Sequence, residues 1–241
     1  DRTVDVIKSI RSDKIVFSQK GAGNPSEFSV LRQMQIDETD TEWLLTLDGD
    51  EIWSQQACEE MVQFLDSDSG EYDTFAVPQI RFIRNMFTAL DDSEAHLELD
   101  GKLSWHVIRG VRRSITGLHI EGIYPNEGYY DNKGFSAYER GNSKRIFYMK
   151  HKFFHASNLP RSFNVLHDWQ IPYRRGKRFR TGRCIVVREY KDEIVKIFGE
   201  VTPVLNTSPL DEKFSWLHWM HKHILPPFVP FLKKLRRLLG V

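Results

Sequence analysis

The sequence predicts an α/β domain: a mostly parallel, Rossmann-like sheet flanked by helices. Three features carry that prediction. Helix-spaced segments alternate with short apolar runs over the first eighty residues, the rhythm of a parallel α/β sheet. Residues 43–47, Trp-Leu-Leu-Thr-Leu, are apolar almost throughout, as in a strand buried on both faces. That run ends abruptly in Asp48, Asp50 and Glu51, three carboxylates within four residues. Acids are tolerated beside a buried strand end when something positive meets them, so a site is expected there.

The elements follow in order. Val4, Val6, Ile7 and Ile10 recur close to helical spacing, so the chain opens on a helix. Residues 15–17, Ile-Val-Phe, are a short strand candidate. Gly21, Gly23, Asn24 and Pro25 make a loop, and Ser26 suits a helix N-cap. Phe28, Leu31 and Met34 mark one face of the helix that ends near Glu38. After the 43–47 strand, Ser54 can cap a further helix with Ala57, Cys58, Met61, Val62 and Leu65 on its inner face. Residues 72–77 are the next strand.

From about residue 80 the pattern turns irregular and richer in aromatics and turns. Residues 81–86 and 105–113 read as strands, 117–130 hold several glycines and aromatics, and 146–155 read as one long strand. A region of this kind commonly forms the substrate-facing half of a nucleotide-dependent enzyme. Residues 174–183 then hold six cations in ten positions. At the end, Phe231, Leu232, Leu235, Leu238 and Leu239 form an apolar stripe interleaved with Lys233, Lys234, Arg236 and Arg237, just after Pro226, Pro227 and Pro230. A basic amphipathic helix can rest on an anionic membrane surface. It can equally pack on its own domain with a solvated cationic face. The chain therefore divides into a domain over 1–190 and a helical, basic tail over 191–241.

Composition narrows the functional classes. Lysine and arginine total 34 against 33 acids, so no global field gathers nucleic acid. No nucleic-acid module is recognisable either, which weighs against RNA at the arginine-rich stretch. Cys58 and Cys184 are too few for a disulfide framework, form no CxxC motif, and fit a reducing compartment. No apolar run reaches the roughly 18 residues of a membrane span.

Asp48-Gly49-Asp50 makes, at its plainest, an acidic turn after a strand. Its functional reading is a hard cation, Mg²⁺ or Mn²⁺, shared between one or two carboxylates and the phosphates of a ligand. Gly49 lets the backbone turn and approach that ligand closely. Two other histidine patterns lead elsewhere. His151 and His155 are four apart, but Lys152 stands where a zinc protease carries glutamate. His218, His221 and His223, beside Trp216 and Trp219, read as a peripheral aromatic segment.

The first eighty residues resemble family 2 glycosyltransferases of the GT-A fold. Asp1-Arg2-Thr3-Val4 is similar to the end of that family's aspartate-glycine-serine-x-aspartate-x-threonine motif. Gly23-Asn24 through Arg32-Gln33 resembles its glycine-asparagine loop and arginine-bearing helix. Trp43 through Glu51 resembles its aspartate-x-aspartate motif with the preceding strand, and the glutamate after the second aspartate is like the branch that builds lipopolysaccharide-core and related glycans. Fainter likenesses follow at Gly117-Leu118-His119-Ile120-Glu121, a histidine-glutamate element, and at His155-Ala156-Ser157-Asn158-Leu159. The family's first strand, with its proline-x-tyrosine-asparagine-glutamate pattern, and most of its second-strand acidic motif do not occur. Roughly 35 to 45 residues, about one strand–helix–strand unit, are therefore expected upstream of Asp1.

The resemblance implies metal-dependent sugar transfer from a nucleotide-sugar donor to a glycan or lipid-linked acceptor, with inversion. It assigns Asp50 to the metal, Asp48 to the metal or the donor ribose, and Arg32 and Asp1 to the donor. Glu51 would orient the other two acids. Glu121 is the first choice for the base that takes the acceptor proton, with Asp131 and Glu127 in reserve. His155, or His119, would complete the metal shell or touch the diphosphate, a backbone-satisfied core histidine being the alternative. The 174–183 stretch is a solvated face, a grip on the donor diphosphate, or a grip on a phosphorylated lipid acceptor. The implied location is cytoplasmic, peripheral at the inner membrane face. Two rivals stand beside this reading. One is a metal-dependent phosphohydrolase, although a haloacid-type enzyme would carry threonine or serine where Glu51 stands. The other is a non-catalytic sugar- or partner-binding module.

Overall fold

The structure is a computed structural model that describes residues 3–20, 27–67, 69–83, 85–95, 97–99, 102–124, 127–137, 145–158 and 184–186. Asp1, the Gly23-Asn24 loop, Ser26, the cationic stretch 174–183, His218, His221, His223 and the whole tail 191–241 lie outside these residues.

Three α-helices occur among the described residues. Helix α1 (Thr3–Ser9) buries none of its side chains. Helix α2 (Phe28–Glu38) buries Ile36. Helix α3 (Gln55–Ser67) starts where the sequence predicts: Ser54 Oγ accepts from the Ala57 N–H at 3.1 Å. Its buried positions are Ala57 and Phe64. Met61 and Leu65 pack beside them, whereas Cys58 and Val62 face solvent. The 15–17 segment forms no strand, and Val16 is 95% exposed.

The strands are β1 (Trp43–Leu45), β2 (Glu51–Trp53), β3 (Thr74–Val77), β4 (Gln79–Ile83), β5 (Asn85–Leu90), β6 (Leu97–Leu99) and β7 (Lys102–Ser104). They continue with β8 (Val107–Arg112), β9 (His119–Glu121), β10 (Gly128–Tyr130), β11 (Ile146–Tyr148), β12 (Phe153–Asn158) and β13 (Cys184–Val186). One sheet has the order β1-β8-β3-β11 and a second β13-β5-β4-β12-β2, while β9-β10 and β6-β7 are separate ribbons.

The mostly parallel, Rossmann-like GT-A sheet expected from the sequence is not what forms. Of nine strand pairings among the described residues, seven are antiparallel and two parallel. The physical reason is connection length. Adjacent parallel strands need a crossover of about a dozen residues or more. Here residue 84 alone separates the paired strands β4 and β5, and Pro78 alone separates β3 from β4, which passes into the other sheet. Neither link has room for a helix. The two parallel pairs, β3 with β11 and β4 with β12, join strands about seventy residues apart. The 43–47 run is also shorter and more open than a central strand. It is the edge strand β1, antiparallel to β8, with Leu45 and Leu47 exposed.

The two sheets are joined along one seam. β3 runs straight into β4 through Pro78, and β11 leads into β12 alongside it. Backbone hydrogen bonds tie the two passages together, from Met149 N to Ala76 O at 3.0 Å and from Phe153 N to Pro78 O at 3.1 Å. Pro78 has no N–H to give, so a proline at this junction is consistent with the ladder breaking between sheets. The expected long strand over 146–155 is divided at the same level. Glu60 of α3 holds the link, accepting from the Lys150 and His151 N–H groups, each at 2.9 Å.

Helix α3 covers one face of the seam. Phe64 is its hub, stacked on Phe147 with centroids 4.2 Å apart and meeting Trp43, Tyr72 and Phe75 edge-on. The opposite face gathers Ala76, Ile108, Val111, Ile115, Ala137 and Ile146. Gly110 faces Phe75 across β8 and β3, and a Cβ there would overlap the Phe75 ring. Phe64→Leu is expected to cost roughly 1–2 kcal/mol, because it loses the aromatic geometry while keeping most of the apolar volume. Urea denaturation of the full chain measures it, and an unchanged midpoint would contradict the hub role.

Candidate active site

Residues 46–50 connect β1 in one sheet to β2 in the other, so the acidic turn spans the seam. Each end is bolted to its own sheet. Thr46 N donates to Arg109 O at 2.8 Å, and Ala156 N donates to Asp50 O at 2.8 Å. A turn hydrogen bond from Glu51 N to Asp48 O, 3.1 Å, closes the loop between them. The sequence reading of an acidic turn after a strand is thus observed.

Two of the three acids in the turn, Asp48 and Glu51, are held by guanidinium groups from two directions. Glu51 is fully buried and receives the Arg109 guanidinium at both oxygens, with Nε to Oε2 at 3.1 Å and Nη2 to Oε1. Burial raises the Glu51 pKa, and the Arg109 charge and hydrogen bonds oppose that rise without cancelling it. Asp48 accepts from Arg32 at Oδ1 and from Arg109 Nη2 at Oδ2, the latter at 3.3 Å. Arg109 also lies over the Phe153 ring, 5.6 Å from its centroid.

Asp50 faces a histidine. His155 lies opposite Glu51 in the β12–β2 register, with its Nε2 3.6 Å from Asp50 Oδ1. Its Nδ1 lies 2.6 Å from Oε1 of the buried Gln79. A carbonyl oxygen accepts only, so Nδ1 carries a proton and Nε2 is left as the ring's acceptor when the imidazole is neutral. Asp50 and His155 then face one another as two acceptors in that form, and as an ion pair when the ring is protonated. A cation between them would reconcile both, and a histidine whose far nitrogen is fixed by a carbonyl has the build of a metal ligand. Among the described residues no three His, Cys, Asp or Glu side chains form a complete metal cage. A hard cation here would have to take most of its ligands from substrate phosphate and water.

The β9–β10 ribbon flanks this turn. Tyr129 OH and Thr46 Oγ1 share a hydrogen bond. On α2, Gln33 Oε1 accepts from Ile120 N at 2.9 Å, and Ser29 Oγ donates to Gly122 O at 2.7 Å. Glu121, on β9, is about half exposed and bonded to His119 Nε2 at 2.8 Å. The other His119 nitrogen lies 2.8 Å from Gly117 O, and these two bonds raise the His119 pKa. Glu127, just before β10, is different. Desolvation raises its pKa, and it feels the charges of both Arg32 and Asp48. Its Oε2 is buried with no hydrogen-bond partner among the described residues. Asp131 is buried and caps its own turn, accepting from the Lys133 and Phe135 N–H groups at 2.8 and 3.0 Å.

The structure thus gathers Asp48, Asp50, Glu51, Arg32 and His155, all singled out in the sequence. It adds Arg109 and Gln79, which sequence reasoning missed. Arg109 had a faint signal, a lone cation between Ile108 and Val111 in a predicted strand. Gln79 had none. No protein-family model matches the chain, and no curated protein matches it. Its functional reading rests on these residues.

Proposed function

We propose that the chain transfers a sugar from a nucleotide-sugar donor to a glycan or lipid-linked acceptor, with Mg²⁺ or Mn²⁺ held at the acidic turn. The resemblance to family 2 glycosyltransferases supports this chemistry. The observation that carries it is the opposition of Asp50 Oδ1 and His155 Nε2 at 3.6 Å, with Gln79 fixing the ring. Asp50 and His155 would hold the cation, with Asp48 beside them. A bound cation there supplies Lewis-acid stabilisation of the charge that builds on a departing diphosphate.

The chain's own residues do the rest. Arg32 and Arg109 present guanidiniums to the same space, suited to phosphate oxygens. Glu51 anchors Arg109 from beneath. For the base, Glu121 is the family-like choice, but its carboxylate is already engaged by His119. Glu127 suits the task better, since its Oε2 is buried with no hydrogen-bond partner among the described residues and desolvation raises its pKa. Glu127→Gln is expected to lower kcat about a hundredfold and Glu121→Gln less than tenfold. Steady-state rates of nucleoside diphosphate release would decide, and the reverse order would return the base to Glu121.

The direct test of the reading is calorimetry on the full chain with UDP and GDP, with and without Mn²⁺. Nucleotide binding that ignores the metal would count against it. Phosphate release from simple esters without any acceptor would favour a phosphohydrolase. Binding of sugars without turnover would favour a non-catalytic module.

Among the described residues no helix is long and apolar enough to cross a membrane. The proposed location is cytoplasmic, at the inner membrane face, through the tail. Deleting residues 231–241 is expected to lower binding to vesicles rich in anionic lipid by about two to three orders of magnitude, since it removes four basic residues that contribute about 1 kcal/mol each near the surface. Unchanged sedimentation with such vesicles would remove the membrane from the proposal.

A further inference from the structure

We infer that Arg32 is an exchangeable counter-ion: it neutralises Asp48 while no metal is bound and passes to the donor diphosphate when the metal is. The inference rests on the reading of the site above and concerns how that site is loaded.

Two guanidiniums meet Asp48, and they are not equivalent. Arg109 grips the fully buried Glu51 with two nitrogens and lies against Phe153. Its departure would leave a buried charge uncompensated, which is strongly unfavourable. Arg32 projects from α2 and is as shielded as Arg109, but it holds no fully buried acid. Its other partners are Gln35 Oε1 at 3.2 Å and the face of Phe28, 4.9 Å from the ring centroid. Neither is charged. If Arg32 leaves, Asp48 is still partly exposed and still has Arg109. The half-buried Arg32–Asp48 pair is thus less costly to open than the grip of Arg109 on the buried Glu51.

Arg32 and a divalent cation therefore compete for the same carboxylate, and like charges brought that close repel. A nucleoside diphosphate reverses the balance. It adds negative charge and gives the Arg32 fork a bidentate partner. Metal and nucleotide should accordingly bind with positive coupling, and Arg32 is the residue through which the coupling runs. Reciprocity requires each ligand to tighten the other by the same factor.

The test is calorimetry of Mn²⁺ binding to the full chain, alone and with saturating UDP, repeated with GDP. In the wild type, nucleotide should tighten Mn²⁺ at least tenfold. In Arg32→Gln, Mn²⁺ alone should bind about five- to tenfold tighter than to the wild type, and the tightening by nucleotide should fall to about twofold. Arg32→Lys keeps the competing charge and should leave Mn²⁺ alone as weak as in the wild type, which controls for a general loosening of the fold. If the wild type takes up Mn²⁺ and Arg32→Gln binds it equally or more weakly, or nucleotide tightens both alike, the exchange is overturned while the metal site stands. If no protein takes up Mn²⁺ with or without either nucleotide, the site itself falls and the exchange with it.

Discussion

Asp50→Asn is expected to lower turnover about a thousandfold while the chain keeps its fold. Asparagine has nearly the same shape, and the anchor of this turn to β12 is the Asp50 backbone carbonyl, which the exchange leaves in place. What disappears is the negative charge facing His155 Nε2. A cation stabilising a departing diphosphate contributes several kcal/mol, and about 1.4 kcal/mol corresponds to a factor of ten in rate. The same variant should lose metal-dependent nucleotide affinity. The measurements are nucleoside diphosphate release under saturating donor and a thermal melt of the same preparation. Turnover within tenfold of the wild type, with an unchanged melt, would contradict the assignment of Asp50.

Arg109→Met should be the most destabilising single exchange in the site, by roughly 3–5 kcal/mol. Methionine keeps an apolar stem for Phe153 but leaves the buried Glu51 carboxylate without its partner. The loss should depend on pH with a definite sign. Burial already raises the Glu51 pKa above 4.5, and removing Arg109 removes the two largest opposing influences. An acid with a raised native pKa binds more protons folded than unfolded, so stability falls as pH rises through that value. The variant should therefore be weakest at neutral pH and above, and recover as the medium is acidified toward the ordinary glutamate range. Chemical denaturation between pH 5 and 8 checks both statements. An exchange costing less than about 1 kcal/mol at neutral pH, with no recovery in acid, would mean that Glu51 is not a buried charge held by Arg109.

The sequence disclosed local chemistry better than global direction. Ser54 as a helix cap, Ala57 on an inner face and the acidic turn after residue 47 were legible because each depends on neighbours within a few positions. Strand direction was not, because it depends on where residues 145–158 return. β11 and β12 insert beside β3 and β4 from about seventy residues away, and no periodicity encodes that choice. Apolar content misled at residues 43–47. Trp43 packs in the core, yet Leu45 and Leu47 are exposed, so an apolar run marked an edge rather than a centre. At the site, Asp48, Asp50 and His155 were visible as donors. Their counter-charges were harder to see, since Arg109 comes from a strand about sixty residues away.

The paired passage of chain across Pro78 has a mechanical consequence. Arg109 belongs to one sheet and His155 to the other, so any sliding of the sheets would change the gap across which the proposed ligand would be gripped. Two strands lashed side by side act as a splint, since neither sheet can swing without shearing both crossings at once. The spacing of the gripping groups is thus set in advance by the frame. On the exchange inferred above, the group that would adjust is the Arg32 guanidinium reaching in from α2.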